Sequence, residues 1–189
     1  VTCDKFKAAG CKNINQIFQG FEPDIFFNIK PSNKLYDITF IGSIAGINKR
    51  RSRYIAMLKR NNLKVFMSKV NIVQSNTIYN KSKICLNFVP AECFSNRVIR
   101  IMASGGFLLS QYCSDLNAAF ENEQDLVLWK TDEELKDNIG RFLKDHKARE
   151  KIAASGNRII QNFSWANQVQ KMLKIVDGHN IIDGAFKGE

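Results

Sequence analysis

The chain has 189 residues, 44% of them apolar and 24% charged, an ordinary globular composition for one full domain, or one domain with a fragment of another. No apolar run approaches the roughly 20 residues that a membrane-crossing helix needs, and no secretory leader is visible. The net charge of +10 draws attention to anionic partners: nucleic acid, an anionic membrane surface, or a phosphorylated ligand.

Residues 1–35 carry no long periodic element, although residues 14–18 read as a short strand. The stretch Gln19-Gly20-Phe21-Glu22-Pro23-Asp24-Ile25-Phe26 reads as a turn followed by aromatics. This part is expected to be a linker and the end of a mostly missing N-terminal domain. The first residue, Val1, is not Met, so the chain is expected to be a piece of a longer protein. From Tyr36 the rhythm changes. Residues 38–41 form an apolar run stopped at Gly42-Ser43, as a buried strand would be. A helix is predicted over 50–60, with Tyr54, Ile55 and Leu58 on one face. A strand follows over 63–67, and Ile78 and Tyr79 belong to a short connecting element. Further strands are predicted over 84–89, 107–109 and 126–128. Between them residues 95–104 read as a helix with Val98, Ile101 and Met102 inward. Beyond Thr131 three helices are predicted, over 132–145, 148–162 and 164–176. Thr131 caps the first of these, with Glu134 completing a capping box. The tail over 177–189 is glycine-rich and expected to be flexible.

Short apolar strands alternating with helices imply an α/β fold: a Rossmann-like open parallel sheet, helices on both faces, C-terminal helices packed on it. The main domain is therefore expected over 36–176. Such sheets bind ligands at the carboxyl ends of their strands. That selects two loops, residues 42–49 after the first strand and residues 90–96 after the third.

The cysteines, Cys3, Cys11, Cys85, Cys93 and Cys113, are odd in number and lack metal-ligand spacing. They read as free thiols in a reducing, cytoplasmic compartment. The histidines are only His146 and His179, so neither a metal site nor a cysteine–histidine nucleophile is expected. The densest basic run is Lys49-Arg50-Arg51-Ser52-Arg53. It reads either as a solvated helix start or as a phosphate site, because cations oppose the dipole at a helix N-terminus unless an anion joins them. The segment "AECFSNRVIRIMASGG", residues 91–106, concentrates more charge. Ser95 is a good helix cap, and a phosphate could settle at that helix start with Asn96, Arg97 and Arg100 beside it. Alternatively Arg97 and Arg100 share an exposed face and Glu92 pairs with one of them.

Glu92, Phe94, Met102, Ala103 and Gly105 fall in step with a motif of GT-B glycosyltransferases, E-G-F-G-x-x-x-x-E-A-M-A-x-G, in which seven residues separate two glutamates. The form "NRVIRIMASGGFLL" resembles the CgeB-like branch of the group 1 glycosyl transferases. "GFEPDIF" resembles the linker out of the N-terminal domain, "YDITFIGS" the first strand of the C-terminal domain, "SKICLNF" the third strand, and "TDEEL" and "NFSWANQVQKML" the final helices. The resemblance covers residues 13–176.

The resemblance implies a two-domain enzyme of which this chain is the donor half. It would bind a nucleotide diphosphate sugar of unknown base and need no cofactor. The missing N-terminal half would hold the acceptor: a glycan, a lipid or a protein. Glu92 would lie near the donor sugar, and Gly42, Ser43, Lys49, Ser95, Asn96, Arg97, Arg100 and Gly105 near the phosphates and nucleotide. The family needs no metal, and no Asp-x-Asp motif is present. A lone donor half is expected to be inactive.

Two residues depart from the pattern. Many members have arginine where Ser43 stands, and the glutamate that contacts the ribose is Arg100 here. Arginine has donors and no acceptor, so it cannot accept hydrogen bonds from ribose hydroxyls. Arg100 pairs with Glu92, binds a phosphate, or marks a domain without transferase activity. The last case is a non-catalytic nucleotide- or sugar-binding module. A nucleic-acid-binding domain is the third reading, but the sequence has no recognisable reading helix or aromatic stacking platform, and no specific nucleic acid is expected.

Overall fold

The computed structural model describes residues 2–12, 14–15, 17–31, 33–43, 54, 56, 58, 62–89 and 95–178. The apolar runs become strands β1 (Tyr36–Ile41), β2 (Val65–Ser68), β3 (Ser82–Asn87), β4 (Leu108–Gln111) and β5 (Val127–Trp129). They form one sheet in the order β2-β1-β3-β4-β5, and every neighbouring pair is parallel. The helices are α1 (Thr2–Ala8), α2 (Ile72–Asn80), α3 (Asn96–Ala103), α4 (Ser114–Ala119), α5 (Asp132–Lys144), α6 (His146–Ile160) and α7 (Trp165–Asp177), with a 3-10 turn at Gln161–Phe163. Positions 54, 56 and 58 are also helical.

Both faces of the sheet are covered, because alternate strand residues point to opposite sides. Ile38, Phe40, Ile84, Leu86, Leu109, Val127 and Trp129 meet Tyr54, Leu58 and the inner face of α5. Cys85, Leu108, Leu126 and Leu128 meet α3, α4 and the end of α6 on the other side. The Cys85 thiol sits in the central strand with no exposed surface, and burial pushes its pKa up to about 12. The Tyr54 hydroxyl donates to Asp132 at 2.5 Å and ties its helical segment to the start of α5.

Several expectations need correction. Ile78 and Tyr79 belong to the nine-residue helix α2, capped by Asn71, whose side chain accepts from the Gln74 amide. No strand occupies the described positions among 14–18, and helices α1 and α4 were not expected. Ser95 stands at the N-cap of α3, but its hydroxyl makes no capping bond and donates to Asn87 Oδ1 at 3.1 Å instead. Thr131 does cap α5, accepting from the Glu134 amide at 3.1 Å. Glu134 reaches back to the amide of Lys130 at 2.7 Å, one residue outside the expected box. Most of the helix predicted over 50–60 and the tail over 179–189 lie outside the described residues.

The segment before the sheet is built into it. Phe21 and Phe26 are each 1% exposed and belong to the core against α3. Full burial of a phenylalanine stabilises by about 1.5–3 kcal/mol. Backbone bonds hold the segment as well: the Phe21 amide donates to Phe163 O, and the Trp165 amide donates to Phe21 O. The amides of Phe27 and Ile29 donate to Asn76 Oδ1 and Asn80 Oδ1 of α2. A boundary at residue 36 would therefore cut aromatic side chains from the core they fill.

Helix α6 approaches the sheet closely at Gly156. A Cβ there would lie 2.3 Å from Asp125 O and 3.1 Å from the Met102 side chain. Nearby, the Ser155 hydroxyl donates to Asp125 Oδ1 at 2.7 Å, and the Asn157 amide donates to the carbonyls of Met102 and Ala103 at 2.8 and 2.9 Å. An exposed mid-helix Gly→Ala change normally stabilises by about 1 kcal/mol. Gly156→Ala is expected to do the opposite and destabilise by about 1–3 kcal/mol, because the obstacle is backbone. A urea unfolding series against wild type measures the sign.

Candidate functional site

The sheet's carboxyl edge is where β1 and β3 stop and their chains diverge. Arg97, in the first turn of α3, bridges the two ends. Its Nε donates to Ile41 O at 2.8 Å, its Nη1 donates to Asn87 Oδ1 at 2.8 Å, and its guanidinium lies 4.6 Å from the centre of the Phe40 ring. Asn87 is buried, and its Nδ2 donates to Ser110 Oγ at 2.9 Å. One amide side chain thus connects β3, β4, Arg97 and Ser95. The Val89 amide donates to Gln111 Oε1 at 3.1 Å. The residues on either side of positions 90–94 are consequently both held.

Gly42 is matched to this bridge. A Cβ there would lie 2.7 Å from Arg97 Nη2 and 3.2 Å from the Phe40 ring. Its role is to give the guanidinium room over Phe40.

In front of the bridge lies a cleft of about 580 Å³. Its walls include Gly42, Lys69, Ser95, Asn96, Arg97 and Arg100. The starts of α2 and α3 border it, and neither has an acidic residue in its first turn. Unpaired amides and the helix dipoles give both ends partial positive charge. No acidic residue is among the described residues lining the cleft. Arg100 stands one turn behind Arg97, with its guanidinium 5.4 Å from the centre of the Phe26 ring. Tyr79 forms the back of the cleft. Burial raises its pKa, while the charges of Arg97 and Arg100 pull it down, and the hydroxyl stays protonated at neutral pH. Such a site can hold a polyanion: Arg97 is fixed by other bonds and sits at the mouth of an apolar core.

Of the residues expected from sequence, Gly42, Ser95, Asn96, Arg97 and Arg100 line this one cleft. Ser43 is exposed and follows Gly42. Gly105 is elsewhere: α3 runs from the carboxyl edge to the amino edge of the sheet, and Gly105 closes its far end. With φ at +71°, Gly105 makes the turn into β4, and a Cβ would meet the Asn28 side chain at 2.5 Å. Gly105 therefore does not line the carboxyl-edge cleft. Glu92, Lys49 and the basic run that starts at Lys49 lie outside the described residues. Among the described residues, no three His, Cys, Asp or Glu side chains gather where a metal ion could sit.

Sequence reasoning missed Asn87, Lys69, Tyr79 and the start of α2. Asn87 left a signal, as the one amide closing the apolar run "SKICLNF". Lys69 and Tyr79 left none while α2 was unrecognised.

The bridge makes Arg97 structural as well as electrostatic. An ordinary surface arginine can be replaced within about 0.5 kcal/mol. Arg97→Gln is expected to cost about 1–3 kcal/mol, because Ile41 O loses the guanidinium donor and Asn87 Oδ1 is left with Ser95. Chemical denaturation of the purified variant tests this.

Comparison with known proteins agrees with this fold. No curated protein matches the chain in sequence. Among solved structures, a sucrose-phosphate synthase from Thermosynechococcus elongatus superposes with a TM-score of 0.70 at 15% identity, over 93% of this chain and 56% of that one. Anabaena HepE in complex with UDP-glucose superposes with a TM-score of 0.69 at 11% identity, over 94% and 61%. The C-terminal domain of LpcC, a glycosyl transferase group 1 family protein from Francisella tularensis, gives 0.58 at 13% identity, over 76% of this chain and 97% of that domain. The chain spans a little over half of the first two proteins, and at these identities the likeness is one of fold. In sequence, the family model described as glycosyl transferase-like matches residues 30–174. The chain belongs to this glycosyl transferase-like family, and its fold is that of the GT-B glycosyltransferases.

Proposed function

We propose that the cleft at the carboxyl edge holds the diphosphate of a nucleotide-sugar donor, and that the chain is the donor half of a two-domain glycosyltransferase. The observation that carries this is the cleft's charge: two helix starts, Lys69, Arg97 and Arg100 converge there without a described carboxylate. Structural neighbours solved with UDP and with UDP-glucose support it.

In glycosyl transfer the bond between the sugar's anomeric carbon and the diphosphate oxygen breaks. The leaving nucleoside diphosphate keeps the electron pair. Donors already fixed around it stabilise that charge without reorganising. Arg97 is pre-positioned in this way by Ile41 O and Asn87. Arg100 is assigned to the phosphates rather than the ribose, since a guanidinium only donates. Glu92 keeps its role beside the donor sugar as part of this proposal. The acceptor, whether glycan, lipid or protein, would be held by a second domain, and residues 21–29 would lead into the donor half. The proposed domain spans residues 36–176 together with that docked segment.

A non-catalytic nucleotide-binding module is the second reading, favoured by Arg100 in the place of the family glutamate. Calorimetric titration with UDP, GDP and ADP, each beside its bare nucleoside, tests both. Saturable binding of one diphosphate, weak binding of its nucleoside, and weakening with added salt are expected. Arg100→Ala is expected to lower diphosphate affinity about tenfold, a loss of about 1.4 kcal/mol. Arg100→Glu should weaken binding further. Tighter binding by Arg100→Glu would return this position to the ribose. Absence of binding by any diphosphate would remove the donor-site reading. Transfer activity in a protein that pairs this chain with an acceptor domain, lost on Glu92→Gln, would decide for the enzyme over the binding module.

A further inference from the structure

We propose a second ligand site, for a small phosphate monoester, at the amino-terminal edge of the sheet. It is separated from the donor cleft by the length of the strands. A cavity of about 310 Å³ opens there, where β3 begins and the chain enters β4. Its rim carries Lys30, Lys34, Lys83 and Arg149, and its floor includes Phe107 and Ala153.

The acids near this rim do not balance it. Asp37 is committed to Lys83, with Nζ and Oδ1 2.7 Å apart. Glu150 is the acidic residue among those lining the cavity, and it also lies 3.9 Å from His146 Nδ1. Lys30, Lys34 and Arg149 thus share the cavity with Glu150, and Asp37 and Asp145 act on Arg149 from outside it. The cations are also held in place. Lys34 Nζ donates to Asn80 O at 2.7 Å, and Arg149 Nη1 donates to Phe142 O. Lys30 has a left-handed backbone, with φ at +45°, and its amide donates to Asn28 Oδ1 at 2.9 Å. A non-glycine residue adopts that conformation only where its surroundings fix it.

Desolvation lowers the Lys34 pKa, and the positive charge of Arg149 lowers it further. Arg149 is likewise lowered, chiefly by desolvation. A dianion between them would favour the charged form of both. The cavity is larger than one phosphate requires, and its apolar floor suits a short carbon skeleton. Cationic rim and apolar floor together select a phosphorylated small organic molecule over free phosphate. The site is independent of the donor reading, because none of its lining residues belongs to the carboxyl-edge cleft.

NMR titration of the whole chain with glycerol phosphate and with inorganic phosphate, each with and without excess UDP, tests the proposal. Saturable shifts at the amides of Lys30, Phe107 and Ala153 are expected, persisting with UDP, with glycerol phosphate the tighter ligand. Arg149→Gln and the exposed-residue change Lys30→Gln should each weaken binding several-fold. Lys30→Gln covers the case in which Arg149→Gln misfolds. Shifts that UDP abolishes, binding indifferent to both substitutions, or no saturation would overturn the site. Equal affinity for the two ligands would overturn the monoester. Because the readout is local to these amides, failure of UDP to bind would count against the donor cleft and leave this test intact.

Discussion

Arg97 holds together the carboxyl edge of the sheet, on which the proposed function rests. A parallel sheet leaves the carboxyl ends of its strands without partners, and here one guanidinium joins β1 to β3 through Ile41 O and Asn87 Oδ1. Asn87 is buried and can serve Arg97, Ser95 and Ser110 at once only because its amide both accepts and donates. The bridge fixes the start of α3 relative to the sheet, and with it the direction of that helix's unpaired amides. Gly42 leaves room for it. A charged side chain that would cost free energy if buried alone is instead hydrogen-bonded and laid on Phe40.

The same economy appears on the opposite edge. There α6 supplies Asn157 to the last carbonyls of α3, and Gly156 lets the helix touch the backbone at Asp125. One end of α3 is thus oriented by an arginine and the other by an asparagine. Cations gather at both edges of the sheet, but through different elements: the connection after β2 and helix α3 at one, the segment before β1, the start of β3 and the start of α6 at the other. The high net charge of the chain is therefore concentrated in part at two clefts.

Much of this was legible in the residues. The strands announced themselves as short apolar runs, and their alternation assigned side chains to faces. Thr131 and the three acids after it marked the start of α5. The grouping of Gly42, Ser95, Asn96, Arg97 and Arg100 followed from the rule that open parallel sheets bind at their carboxyl edge. Helix α2 was not legible, because its buried residues include Ser75, Asn76 and Asn80, polar side chains that no hydrophobic period reveals. Asn76 and Asn80 are buried to hold the backbone of residues 27–29, a partnership across about fifty positions of sequence. Ser95 misled for a related reason: its hydroxyl had two possible partners, and the buried Asn87 outcompeted the helix amides. Gly105 belongs to the motif in sequence but sits a full helix length from Arg97.

Cys85 carries a consequence of its own. It lies in the strand at the centre of the sheet order, unexposed, with its thiol against Tyr79 O and its ionisation suppressed. A thiol that cannot form its thiolate is inert to electrophiles while the sheet is closed. Its chemistry becomes available only when β3 parts from its neighbours. The molecule therefore contains a native reporter on the opening of its central strand, one that a thiol reagent reads without any engineered label.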